Sequence, residues 1–416
     1  MQDLSYAQLT REHGYPLYLY DETAVASSLA RLRQTFPGFE VLYSVKTNPH
    51  PEICRFMAAN GTGADAASSF EVRRALEAGF GPERIFYSAP GKTDGQLADA
   101  LGSCTIIADS YGELARLDAL VRDSGMAGGS PLPVGLRINP DAAFGPGEFA
   151  ELTGGVSAKF GVDEESLAGH AAFFASLRHI RLTGIHVFLR SQVLNHASLA
   201  ASFATIFELA GRCRDIFGHP ISFINFGGGL GIAPGSDGSA GLDEEALAAE
   251  VARLKARHLR DFPGCRLLLE SGRFLVGRAG TFVTRIVDIK ESRGTTYVIA
   301  PGGLSGFLRP SVMNLLGNLP QPVEGPFEPL YSSPAAHRVF LPEKTAGEPK
   351  RVTVCGNLCT ALDVIARDAL LPDPQVGDIL AVSNAGAYAA TLSPFAFASF
   401  PRPAELYRDA KGEVHV

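Results

Sequence analysis

The chain lacks any apolar run near the roughly 18 residues that a membrane-spanning helix needs. It also lacks a basic excess. Its 37 Lys and Arg stand against 44 Asp and Glu, a formal net charge of −7, which argues against a nucleic-acid partner. The opening MQDLSYAQLTREHG has no basic stretch followed by an apolar one, so no secretion signal is read there. Cysteine is sparse: six in 416 residues, with only Cys355 and Cys359 close together. That usage points to a reducing compartment and mostly buried thiols. A protein of the cytoplasm, away from membranes, is the expectation. No repeat of fixed solenoid period is visible.

Apolar residues make up 46 % and charged residues 19 %, enough to bury a large core. The length predicts two or three domains, or one large barrel with an appendage. Eight short β-prone runs recur, each followed by a segment of helical spacing. They are VLYSV (41–45), TGADAA (62–67), RIFYSA (84–89), TIIAD (105–109), VGLRIN (134–139), LTGIHVF (182–188), ISFINF (221–226) and LLLE (267–270). Ser68 and Glu71 form a capping-box pattern, followed by Val72, Ala75 and Leu76 on one face and a stop at Gly79 and Gly81. Eight strands alternating with helices predict a (β/α)8 barrel over residues 30–280; an open doubly wound sheet is the alternative. The rest reads differently. PLYLYD (16–21) alternates like a half-buried strand. From Thr281 onward, β-branched runs broken by Gly, Pro and Asn predict antiparallel β structure. Residues 1–29 and 281–416 are therefore expected to build a second, β-barrel-like domain. Segments 141–158, 234–242 and 318–350 read as loops.

In such a barrel, chemistry sits at the C-terminal ends of the strands. Those ends carry Lys46, Asp65, Arg137, Asn139, His186, the triplet Gly227-Gly228-Gly229, Glu270 and then Arg273. A lysine after a buried strand can be desolvated, which lowers its pKa and makes a neutral nucleophile; the plain alternative is a lysine reaching solvent. NFGGGLGI (225–232) can cradle a phosphate with backbone N–H groups, or be only a tight turn. It matches neither a P-loop nor a dinucleotide fingerprint. Glu270 ends an apolar run and needs a partner, either Arg273 or a ligand nitrogen. His186 alone would read as a core histidine. Together, a lysine for a Schiff base, a phosphate cradle, an acid for a ring nitrogen and a histidine for the ring face are the contacts that pyridoxal 5'-phosphate requires.

The chain resembles the fold-type III pyridoxal-phosphate decarboxylases, the group of diaminopimelate, ornithine and arginine decarboxylases, over nearly its whole length. YSVKTNPHPEI (43–53), GADAASSFEV (63–72), LRINP (136–140), SAKFGV (157–162), ESGR (270–273), RPS (309–311), CGNLCTALDVIARD (355–368) and GAY (386–388) carry the resemblance. It implies that Lys46 binds the cofactor aldehyde, that Asp65 and Arg137 lie near it, and that His186 stacks on the ring. It implies that Glu270 bonds the pyridine nitrogen. Gly227, Gly228, Gly229, Ser191, Gly272, Arg273 and Tyr388 would serve the phosphate side. Arg309 would hold a substrate carboxylate, and Cys359 would donate a proton into the partner's site in an obligate homodimer.

Departures from the diaminopimelate pattern bear on the substrate. Thr360 stands where a Glu usually follows the cysteine. HVFLRSQ (186–192) replaces a shorter His-Val-Gly-Ser-Gln and adds Phe188 and Arg190. A lost acid and a gained Arg190 suggest a substrate whose far end is more anionic than an ammonium. The favoured substrate is an amino-acid conjugate of the carboxylate-siderophore type, such as citryl-diaminopropionate. Arg190, Arg273, Arg309, Thr360 and Tyr388 are its expected contacts. meso-Diaminopimelate is the alternative. An amino-acid racemase needs a tyrosine as second base, where Cys359 stands here. A non-catalytic cofactor carrier would lack the β-rich part. A metal at Cys355 and Cys359 would need a second ligand pair, so no metal is expected.

Overall fold

All eight β-prone runs become strands because each is buried on both faces, which suits a parallel sheet covered by helices. The computed structural model describes residues 5–126, 130–141, 157–233, 241–317, 336–344 and 346–416. After β1 (Leu17–Asp21) come β2 (Glu40–Ser44), β3 (Gly63–Ala66), β4 (Ile85–Ser88), β5 (Thr105–Ala108) and β6 (Leu132–Asn139). The two-residue β7 (Val162–Asp163) flanks β6, and β8 (Ile180–His186), β9 (Phe223–Asn225) and β10 (Arg266–Ser271) follow. The order β5-β4-β3-β2-β10-β9-β8-β6 closes on itself through Ile107 beside Gly135, all parallel. That closure makes a barrel and excludes the open sheet.

The barrel interior is plugged. Leu42, Phe86, Ile107, Phe223 and Leu268 form their own buried cluster, with the Phe86 and Phe223 rings edge to face at 5.3 Å. Gly63, Gly135 and Gly184 are inward neighbours that make room for these large residues. A Cβ at Gly135 would stand 2.8 Å from the Phe223 ring, and one at Gly184 would overlap that ring. Five large side chains and three glycines thus share one layer, the glycines making room for the large ones.

The helix Ser69–Glu77 begins as expected, with Ser68 Oγ accepting from Glu71 N at 3.1 Å. The capping box is not reciprocal, however: the Glu71 carboxylate accepts from Ala67 N at 2.7 Å. Gly79 takes φ +96°, and the Gly79 and Phe80 N–H groups close the helix on Leu76 O and Ala75 O.

The β-rich part holds β11 (Gly280–Arg285), β12 (Asp288–Ser292), β13 (Thr295–Ile299), β14 (Val339–Phe340) and β15 (Pro349–Cys355). It continues through β16 (Val364–Pro372), β17 (Ile379–Val382), β18 (Ala404–Arg408) and β19 (Val414–His415). They form a six-stranded sheet, β14-β17-β11-β1-β18-β19, and a four-stranded one, β12-β13-β15-β16. Most pairs are antiparallel, but β1–β18 and β13–β15 are parallel, which alternation of residues does not reveal. β1 lies between two strands, so Leu17 to Tyr20 are buried throughout rather than on one face. Asp21 caps the helix Glu22–Thr35, which packs on the barrel side, so the passage between the parts falls ahead of residue 30. The segment around Arg309 is a helix, Leu308–Gly317, that strand periodicity did not reveal. Of the expected loops, residues 142–156, 234–240 and 318–335 lie outside the described residues. No described helix is long and apolar enough to cross a membrane.

The plug yields a stability prediction. Gly184→Ala should cost about 1–3 kcal/mol by overpacking against Phe223, and Phe223→Leu in that background should recover part of it. Urea unfolding midpoints of the single and double variants check this.

Candidate active site

Two residues past each plug position, the inward places at the C-terminal mouth hold Ser44, Asp65, Ser88, Asp109, Arg137, His186, Asn225 and Glu270. All are polar and all are buried. Burial of such groups requires partners. Ser88 Oγ meets His186 Nδ1 at 3.1 Å, and Asn225 Nδ2 donates to Glu270 Oε1 at 2.8 Å. His186 Nε2 stands 3.1 Å from Glu270 Oε1 without forming a directed hydrogen bond to it. Burial would raise the Glu270 carboxyl. His186, then Lys46 and Asn225, outweigh that and bring it down to about 2. The partner of Glu270 is therefore the His186–Asn225 pair, not the Arg273 bridge that the sequence offered.

Lys46 lies in the turn Val45–Thr47 after β2, with Nζ 3.3 Å from Asp65 Oδ2. Its side chain is 43 % accessible, and it lines the cavity. Burial pulls the ammonium down, but Asp65, Tyr388 and Glu270 more than offset it and hold Lys46 above the ordinary lysine value. This corrects the expected fall. Desolvation is real, but the ring around the amine is acidic. Burial and Glu270 push Asp65 up, with Lys46 opposing.

The glycine bend follows β9. Asn225 Oδ1 accepts from Gly227 N at 2.9 Å, and Gly227 O accepts from Glu270 N at 2.8 Å, so one asparagine ties the bend to the acid. Gly227 has φ +63° and Gly229 φ +108°, and a Cβ at Gly228 would stand 2.7 Å from Glu270 O. Side chains are excluded there by neighbouring backbone. Tyr388 also takes a left-handed φ of 55°, at a strain of about 1–3 kcal/mol. Its N–H donates to Thr47 O at 2.9 Å, and its ring lies 5.2 Å from the Arg273 guanidinium and 5.3 Å from that of Arg309. Asn48 Nδ2 donates to Gly386 O at 3.0 Å, so the lysine turn is clamped to the 386–388 loop at two points.

One cavity is lined by Lys46, Asp65, Arg137, His186, Ser191, Gly228, Gly229, Glu270, Gly272, Arg273 and Tyr388. Gly227 lies just behind. Arg309 is buried beyond Tyr388 and does not line the cavity. Arg190 is buried behind Gly229, its carbonyl against that glycine, and it does not line the cavity. Cys359 is exposed, and neither it nor Thr360 lines the cavity. The cavity also includes residues that the motifs did not single out: Ser44, Ser88, Phe160, Gln192, Leu230 and Ser271, with Phe188. Ser44 and Ser88 could have been found by counting two residues on from the plug.

The family model described as pyridoxal-dependent decarboxylase, pyridoxal binding domain, matches residues 22–277. The chain is 33 % identical to a diaminopimelate decarboxylase of Methanothermobacter thermautotrophicus, over 98 % of this chain and 90 % of that one. It is 31 % identical to an L-glutamyl-[BtrI acyl-carrier protein] decarboxylase of Niallia circulans, over 96 % and 90 %. The crystal structure of an M. jannaschii diaminopimelate decarboxylase with L-lysine superposes with a TM-score of 0.84 at 24 % identity, covering 98 % of this chain and 90 % of that one.

Glu270 gives the fold an acid dependence. A carboxyl that titrates lower folded than unfolded contributes fully above about pH 5 and is lost as pH falls through its folded value, here toward 2. In cofactor-free protein, the stability gap between wild type and Glu270→Gln should narrow as pH drops from about 6 to about 3. Urea midpoints across that range measure it; a gap that stays constant removes the claim.

Proposed function

Because this chain belongs to the pyridoxal-dependent decarboxylases and is a pyridoxal-phosphate-dependent amino-acid decarboxylase, we propose that it decarboxylates an amino-acid conjugate. The proposed class is the carboxylate-siderophore type, such as citryl-diaminopropionate. The observation that carries this is the absence of an uncommitted acid. Among the described residues, the only carboxylates lining the cavity are Asp65 and Glu270, engaged with Lys46 and with Asn225 and His186. Thr360 follows Cys359 where an acid would read a distal ammonium. The relative from Niallia circulans, whose name specifies a glutamyl group on a carrier protein, makes a conjugated substrate a natural choice. The second reading, meso-diaminopimelate, is favoured by relatives that carry that name.

The residues present fit pyridoxal phosphate. His186 Nε2 and Ser271 Oγ are buried at the cavity without a hydrogen-bond partner, and the glycine bend leaves backbone exposed to it. In this reading Lys46 would hold the cofactor aldehyde, Glu270 would pair with the ring nitrogen, and His186 would cover the ring, with Asp65 and Arg137 nearby. Gly227, Gly228, Gly229, Ser191, Gly272, Arg273 and Tyr388 would hold the phosphate side. The bound cofactor supplies an electron sink for the pair left at Cα when the bond to CO2 breaks. The protein orients that bond and excludes water. Arg309, through the Tyr388 ring it packs on, steadies the substrate carboxylate. The Cys359 thiol, delivered from the partner subunit of a homodimer, hands its proton to Cα. Free cysteines throughout fit a reducing cytoplasm.

Three measurements test this. Lys46→Ala should abolish the visible absorbance that the lysine-bound cofactor gives; an unchanged spectrum sinks the assignment. In a panel of citryl-diamino acid conjugates, meso-diaminopimelate, ornithine and lysine, CO2 release should be fastest with a conjugate, and diaminopimelate as best substrate would overturn the conjugate reading. Finally, mixing inactive Lys46→Ala and Cys359→Ala chains should restore about a quarter of wild-type activity, because half the dimers are mixed and each has one intact site. No recovery would place Cys359 outside a shared site.

A further inference from the structure

Asp109 stands apart in the inward ring. It is 5 % exposed, it does not line the cavity, and its Oδ1 accepts no hydrogen bond. A buried carboxylate in that condition costs stability unless a cation balances it. One cation that Asp109 acts on is Lys92, itself buried. Its three N–H groups are already used, by Ala89 O at 2.8 Å, Ile107 O at 2.7 Å and Glu113 Oε1 at 2.6 Å. Lys92 and Glu113 thus neutralise each other and leave no donor for Asp109. The other neighbour is Arg137. Ile107 pairs with Gly135 and Ala108 with Leu136, so Asp109 leaves β5 on the side of β6, and its charge, ahead of those of Glu270 and Asp65, supports the Arg137 cation against burial. Arg137 is buried, lines the cavity, and sits over Phe160 with its guanidinium carbon 4.3 Å from the ring centre.

We propose that Asp109 is a positioning residue. Its negative charge, acting across a gap rather than through a direct ion pair, keeps the Arg137 guanidinium at the cavity wall over Phe160, in place to meet an anionic group of the bound cofactor or substrate. The arrangement has a second consequence. Arg137 and Lys46 share the cavity, and like charges there oppose each other. Asp109 balances Arg137 from behind, so the lysine faces less of that charge.

The proposal rests on the reading of Arg137 as a ligand contact, and its test separates the two. In a crystal structure of the Asp109→Asn holoenzyme, Arg137 should leave the Phe160 ring. The cofactor affinity of apo Asp109→Asn, from fluorescence titration, should weaken about tenfold, and its melting temperature should fall because the buried guanidinium loses its counter-charge. Asp109→Glu should restore most of the affinity. Arg137→Gln combined with Asp109→Asn should be no weaker than Arg137→Gln alone. A guanidinium that stays on Phe160 in Asp109→Asn, no rescue by Asp109→Glu, or additive losses in the double variant each overturn the proposal. Should Asp109→Asn fail to fold, Asp109→Ser is read in the same way. Arg137→Gln that binds cofactor and substrate like wild type would instead defeat the reading of Arg137, while the guanidinium position in Asp109→Asn still judges Asp109.

Discussion

Burying eight polar side chains at one end of a closed barrel is possible only if they compensate one another, and that compensation organises the rest of the molecule. Below them the plug of Leu42, Phe86, Ile107, Phe223 and Leu268 keeps water out. Above it, Glu270 stays ionised because Asn225 and His186 hold its charge, and His186 is oriented by Ser88. A low local dielectric strengthens every such contact and makes every missing one costly. The same ring explains why Lys46 is held as an ammonium rather than released as a free amine. Asp65 and Glu270 surround it with more negative charge than burial can offset.

How far the sequence reveals this follows from period and spacing. The barrel was legible because each strand is short, apolar and buried on both faces, and because Ser68 and Gly79 punctuate a helix by local backbone chemistry. The residues at the mouth were legible wherever a motif marked them, as with Lys46, His186 and Glu270. Asn225 was not, since an asparagine inside ISFINF reads as a turn residue until its two bonds, to Gly227 and to Glu270, are seen. The parallel pairs β1–β18 and β13–β15 were hidden for a different reason. Strand direction is set by partners hundreds or tens of residues away, and a run such as LYLYD carries no mark of it. Arg190 shows that a charge in a motif says little about where the residue sits: it is buried, does not line the cavity and sets its backbone carbonyl against Gly229.

The two parts of the chain meet at the lysine turn. Tyr388 N–H bonds Thr47 O, Asn48 reaches Gly386 O, and the Tyr43 hydroxyl donates to Asn48 O at 2.7 Å. The strained backbone at Tyr388 is what these contacts hold in place, and Arg273 and Arg309 flank its ring. A change in the β-rich sheet is therefore felt at Lys46 through one backbone hydrogen bond and one from the Asn48 amide rather than through a long relay of side chains.

Chemistry and selectivity are divided accordingly. The groups that line the cavity come almost entirely from barrel strand ends, with the rigidity of a parallel barrel behind them. Thr360 and Cys359 lie instead on a loop whose geometry is set by Asp363, which accepts from Leu358 N at 2.8 Å and whose second oxygen accepts from Leu304 N at 2.5 Å. That loop is shaped by its own carboxylate, and its cysteine is exposed. Substitution at Thr360, which does not line the cavity, leaves the buried ring untouched. A substitution of a charged member of that ring cannot be so contained, because its charge is balanced by others in the ring.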